Sequence, residues 1–206
     1  MKPRVVPILV LLGLSVAARL TPYLLSRLGM PIDPAGTAYP WNFSPILPLC
    51  IFGGAFYAQP RLAYAIPFAT LLLGDLGIWT LTGRLDWAFY PFQPVVYLAF
   101  AFVATTGFAL RGARTWRGIA AAGLVSSTGF FVLTNFGVWA FGDGSIYPHT
   151  LAGLVDCYVR ALPFFRNTLV SMAVFLPLLF SRVALARPAL VPAVPIVAPP
   201  LGSGTR

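Results

Sequence analysis

The chain has no glutamate, one lysine and one histidine in 206 residues. Its only acids are Asp33, Asp75, Asp86, Asp143 and Asp156. Paired-carboxylate catalysis would have to draw on those few, and four of them fall in predicted loops or a short outer helix. A lone His149 cannot build a metal site, and no HExxH pattern occurs. No GxSxG elbow and no Gly-rich phosphate loop are present. Cys50 and Cys157 lack CxxC spacing, so neither a disulfide nor a metal centre is supported. Nothing in the sequence signals an enzyme, a metal or a cofactor. Charge is scarce as well: charged residues are 9% of the chain, where a soluble domain carries about 25%.

What is abundant is apolar surface, at 58% hydrophobic residues. A soluble domain of this length cannot hide that much in one core. The composition therefore predicts an all-α integral membrane bundle. Fourteen Lys and Arg against five acids give a net charge of +9. The basic residues are nearly all Arg, scattered singly at the ends of apolar blocks. That is the pattern of interfacial anchors and orientation signals in a bilayer, and it argues against nucleic acid as a partner.

Six apolar blocks are separated by Arg, Pro and Gly: approximately 5–27, 44–58, 61–82, 93–110, 116–141 and 163–185. About 20 helical residues cross a hydrocarbon layer of about 30 Å. The second block is too short for that. Ser44 reads as its N-cap, with Pro45 at the first helical position. Its N-terminus therefore sits below the membrane surface, where non-helical backbone must line a cavity or be buried in protein. Lys2, Arg4, Arg61, Arg111, Arg114, Arg117, Arg182, Arg187 and Arg206 fall on one side. Arg27, Arg84, Arg160 and Arg166 fall on the other. The positive-inside rule then places both termini in the cytoplasm, in a bacterial inner membrane. Residues 1–186 form the transmembrane domain, and 187–206 a Pro-rich flexible cytoplasmic tail. A competing reading makes the N-terminus a signal peptide cleaved near Ser15-Val16-Ala17.

Ionisable groups inside spans are costly and mark function by default. At 1.5 Å per residue, Arg19 and Asp75 each lie about 21 Å from the inner end of their span, and Asn135 about 28 Å. Arg166 opens the last span from outside. Asn42, Trp41, Trp87, Trp139 and the stretch Tyr147-Pro148-His149-Thr150 come from the same side. This convergence predicts an outward-facing pocket with mostly apolar walls. Its candidate ligand-binding residues are Asn42, Asp75, Asn135, Trp139, His149, Arg166 and Asn167. The alternative is an intrabundle ion pair, Arg19–Asp75 or Asp75–Arg166, with Asn135 satisfying backbone carbonyls. Residues 150–162 read as a short extra helix in the last external loop, capped by Thr150 and ended or kinked at Pro163. Asp156 and Arg160 share a face of it and form a plain salt bridge.

Several strings resemble an uncharacterised bacterial multi-pass membrane family. They are Asn42-Phe43-Ser44-Pro45, Ile51-Phe52-Gly53-Gly54-Ala55-Phe56-Tyr57, Leu73-Gly74-Asp75, Thr134-Asn135-Phe136-Gly137-Val138-Trp139, and Tyr147-Pro148-His149-Thr150. A further string is Ala161-Leu162-Pro163-Phe164-Phe165-Arg166-Asn167-Thr168. The chain departs from that family just after Thr168, where Val170-Ser171 stand in place of an acidic residue. The layout is also similar to the substrate-binding S component of energy-coupling factor transporters. That resemblance implies six helices, a micronutrient held in an outward pocket, and a coupling partner subunit that supplies energy. The partners expected are thus the lipid bilayer, a small-molecule ligand and a coupling or complex subunit. The alternatives are a structural subunit of a larger membrane complex and, last, a membrane-embedded enzyme.

Overall fold

The computed structural model describes residues 2–30 and 40–186. The proposed tail at 187–206 lies outside them. The elements are β1 (Lys2–Pro3), α1 (Val5–Arg27), α2 (Ile46–Phe56), α3 (Pro60–Thr82), the single turn α4 (Leu85–Ala88), α5 (Gln93–Phe108), α6 (Trp116–Phe141), α7 (Leu151–Leu179) and β2 (Leu185–Ala186). Five segments are long and apolar enough to cross a membrane: α1, α3, α4 together with α5, α6 and α7. Large apolar side chains stand exposed around the bundle, among them Leu9, Leu73, Leu98 and Val125. In water such a surface would drive aggregation, whereas in lipid it is solvated. The protein is an all-α bundle of membrane-spanning character.

The ends of the helices follow local chemistry. Thr115 and Thr150 cap α6 and α7, their hydroxyls accepting from the Gly118 and Gly153 N–H groups at 3.1 Å. Pro60 and Pro94 sit in first turns, where the missing N–H costs nothing. Gly83 closes α3 with φ 69°, the left-handed conformation that glycine adopts freely. Before α2, the Ser44 hydroxyl accepts from the Ile46 N–H at 3.4 Å, and Pro45 is already helical in φ and ψ.

The short helix α2 is the core. Every residue from Leu47 to Ala55 is buried, and α2 touches α1, α3, α5, α6 and α7. Eleven residues rise about 16 Å, roughly half the hydrocarbon layer. Its closest approach is to α5 at Gly54 and Gly107, where a Cβ on either residue would strike the other helix's backbone. The C-terminal carbonyls of α2 are held by arginines from the segment after α5. Arg111 donates to the Gly54 and Tyr57 oxygens at 2.8 and 3.0 Å, and Arg114 to the Ala55 oxygen at 3.0 Å.

The short extra helix expected at 150–162 is not separate from the last span, because α7 runs unbroken from Leu151 to Leu179 with Pro163 inside it. Proline at position 163 frees the carbonyl of Val159, four residues back. Val159 is exposed, so that carbonyl is not trapped in the core. At the other end of the bundle the chain closes on itself. Lys2 pairs with Ala186 and Pro3 with Leu185, and the Arg4 N–H donates to the Ala184 carbonyl at 2.8 Å. The start of α1 and the segment after α7 therefore share one end.

Candidate functional site

At the opposite end lies a cavity of about 410 Å³. Its walls come from the C-terminal halves of α1, α3 and α6, the N-terminal half of α5, the start of α2, and the segments 40–44 and 87–92. Counting rises from the helix ends at this side puts Arg19 about 12 Å deep, Thr134 and Phe100 about 10 Å, and Ser15 and Thr70 about 18 Å.

Among the described residues, Arg19 is the only charged one lining the cavity. It forms an ion pair with Asp75 of α3. Asp75 is 1% exposed and Arg19 30%, so the acid is sealed behind the base. The second carboxylate oxygen of Asp75 accepts from Gln93 Nε2 at 2.6 Å and from the Tyr97 hydroxyl at 3.2 Å. A buried charge needs this degree of pairing, since an unpaired one in a low-dielectric interior is strongly disfavoured. Gly74 makes room for it: a Cβ there would collide with the Arg19 Cδ, and Nε would lie 3.1 Å away. Arg19 Nε is buried without a hydrogen-bond partner. Gly77 gives Leu20 the same clearance one turn on.

The segment leading into α2 carries Trp41, Asn42, Phe43 and Ser44 into the cavity wall. Asn42 has φ 66°, and asparagine is among the few non-glycine residues that tolerate this conformation. The strap is clamped from α7 at two points one helical turn apart. Asn167 Nδ2 donates to the Trp41 carbonyl at 3.0 Å, and the Ser171 hydroxyl to the Ser44 carbonyl at 2.5 Å. The rings of Phe43 and Phe175 meet at 5.5 Å. Ser171 thus supplies a donor to a carbonyl ahead of the buried helix.

The residues named from sequence divide accordingly. Asn42 lines the cavity, Asp75 stands behind Arg19, and Asn167 positions Trp41 from outside the wall. Asn135, Trp139, His149 and Arg166 do not line it. Asn135 donates to the Phe131 carbonyl of its own helix at 2.8 Å. Trp139 Nε1 donates to the Pro148 carbonyl at 3.0 Å, and His149 Nε2 lies 3.2 Å from the Gly142 carbonyl. These two rings pack at 5.9 Å and tie down the α6–α7 loop. In the same loop Asp143 accepts from the Ser145 hydroxyl and N–H, which holds its carboxyl below the usual range. Arg166 is exposed on α7 and is not the partner of Asp75. Asp156 and Arg160 pair at 2.8 Å in the open. Among the described residues no group of three His, Cys or Asp could hold a metal ion.

Sequence reasoning missed much of the wall: Ser15, Tyr23, Thr70, Tyr90, Phe100 and Thr134. It also missed Gln93 and Tyr97, which complete the shell around Asp75. A signal for those two was available, because both are polar residues in the first two turns of α5, on the outer side of Asp75.

One family model matches residues 1–194, and it describes a family of unknown function (DUF6580). No curated protein and no solved structure is similar enough to the chain to count as a match.

Proposed function

We propose, on the premise that the chain belongs to the family of unknown function DUF6580, that it binds a small molecule from the outer face of a bacterial inner membrane. In this reading it is the passive, substrate-binding part of a transporter, similar in layout to the S component of energy-coupling factor systems. A partner subunit supplies the energy. Both termini are cytoplasmic, as the asymmetry of Lys and Arg between loops implies. The observation that carries the reading is the 410 Å³ cavity, walled mostly by apolar and aromatic side chains with one anchored arginine. Concave, mostly apolar sites of about 300–1,000 Å³ with a few placed polar groups are the usual form of a ligand pocket.

Native mass spectrometry of the protein, gently extracted from its own membranes, tests this. The expected result is a small-molecule adduct on the wild type that is absent from Thr134→Trp, in which an indole fills the cavity. A protein that carries no adduct but is retained stoichiometrically in a larger assembly would support a structural subunit instead.

A further inference from the structure

We propose that the ligand of this cavity is a flat aromatic molecule without net charge, with a hydrogen-bond acceptor for Arg19 and donors for the wall hydroxyls. This rests on the binding reading above and adds the chemical class.

The walls select for flatness. Tyr23 and Trp87 have ring centroids 6.1 Å apart, Tyr90 and Phe92 4.3 Å, and Phe100 and Phe130 5.2 Å. All six rings line the cavity. Trp87 is further held by Arg84, whose guanidinium carbon lies 4.8 Å from the ring. Aromatic faces and edges reward another ring placed against them in a way that a saturated skeleton of equal area does not obtain.

Charge selects for neutrality. The Arg19 charge is offset by Asp75, which is already engaged by three donors and is 1% exposed. A cation would meet the guanidinium and, among the described residues, find no carboxylate facing it. An anion would lose its hydration beside a guanidinium already balanced, and burying a charge without a counter-charge is strongly unfavourable. A neutral acceptor suits the exposed part of the Arg19 side chain, which opens onto the cavity.

The polarity of the wall hydroxyls, Ser15 and Thr70 below Arg19 and Thr134 near its level, is fixed by their own helices. Ser15 donates to the Leu11 carbonyl, Thr70 to Ile66 and Thr134 to Phe130, each at 2.8 Å. Their protons are committed, so they present lone pairs and ask the ligand for donors.

Four fragments of one size separate the possibilities: isoquinolone (flat and neutral, with adjacent C=O and N–H), naphthoate (flat and anionic), N-methylisoquinolinium (flat and cationic) and the fully saturated lactam. Binding is measured by equilibrium dialysis of purified protein in nanodiscs, with Thr134→Trp subtracting partition into lipid. Isoquinolone should bind at least tenfold more tightly than the other three. Arg19→Lys keeps a charge for Asp75 but loses the planar fork, and should weaken isoquinolone at least fivefold with an unchanged unfolding midpoint. Tightest binding of the cation or the anion, or equal binding of the saturated lactam, overturns the proposal. If none of the four binds while native mass spectrometry finds an adduct, this chemical class is wrong and the pocket stands. If none binds and no adduct exists, both readings fall.

Discussion

At the scale of single residues, the buried Arg19–Asp75 pair dominates. Removing one partner leaves the other charged and buried, a loss of about 3–5 kcal/mol. Asp75→Asn should therefore lower stability sharply, read as the thermal unfolding midpoint in detergent. The double variant Arg19→Met/Asp75→Leu should recover most of that loss, because packed apolar groups substitute well for an ion pair, while adduct capture is abolished. The α7 clamp should behave differently. Asn167→Ala and Ser171→Ala each remove one bond to the strap, at about 1 kcal/mol. They should weaken ligand retention more than stability, as judged by adduct occupancy against the unfolding midpoint. Part of this was legible in the sequence. Depth along a helix follows from counting residues, so Arg19 and Asp75 emerged at one level. Rotation about the helix axis did not: each residue turns the side chain by about 100°. Asn135 has the right depth but does not line the cavity, whereas Thr134, one position earlier, does.

At the scale of elements, α2 and α7 are the most instructive. The sequence marked α2 as too short to span, and its cap as Ser44-Pro45. It did not mark α2 as the centre of the bundle. A helix that is apolar all round can face lipid or protein, and composition cannot separate the two. Its capping arginines were equally hidden. Arg111 and Arg114 read as orientation signals, yet they hold the last carbonyls of α2. Arg111→Ala should cost about 1–3 kcal/mol by leaving those oxygens without donors, whereas Arg117→Ala, on the outside of α6, should be close to neutral. Chemical denaturation of the two variants in mixed micelles separates them. At Gly107 a methyl group would meet the Ile51 carbonyl, so Gly107→Ala should cost at least about 2 kcal/mol. Of the end or kink expected at Pro163, the end does not occur: α7 continues through it, and the carbonyl freed by proline belongs to an exposed residue.

For the whole molecule, the pairing of Lys2–Pro3 with Leu185–Ala186 sets both ends of the bundle's chain on one side. In the proposed topology this takes an even number of passes, with the short α2 counted as the sixth. Reporter fusions at the N-terminus and after Ala186 should therefore give the same sidedness, opposite to one inserted at 143–146. The spans were legible because a run of about 20 apolar residues matches the thickness of the hydrocarbon layer and exceeds what a soluble core helix needs. The hollow between them was not, because it depends on how six helices rotate against one another.

The hollow at one face, lined by Arg19 and its neighbours, must admit water from outside if it is to bind anything. Single cysteines in a Cys50→Ala/Cys157→Ala background, probed in intact cells with a small membrane-impermeant thiosulfonate, report on this without any knowledge of the ligand. Thr134→Cys and Thr70→Cys should react from outside, and Leu73→Cys, exposed on the outer surface of α3, should not. Silence at both lining positions, or labelling only from the cytoplasmic side of inverted vesicles, would overturn the outward-facing pocket.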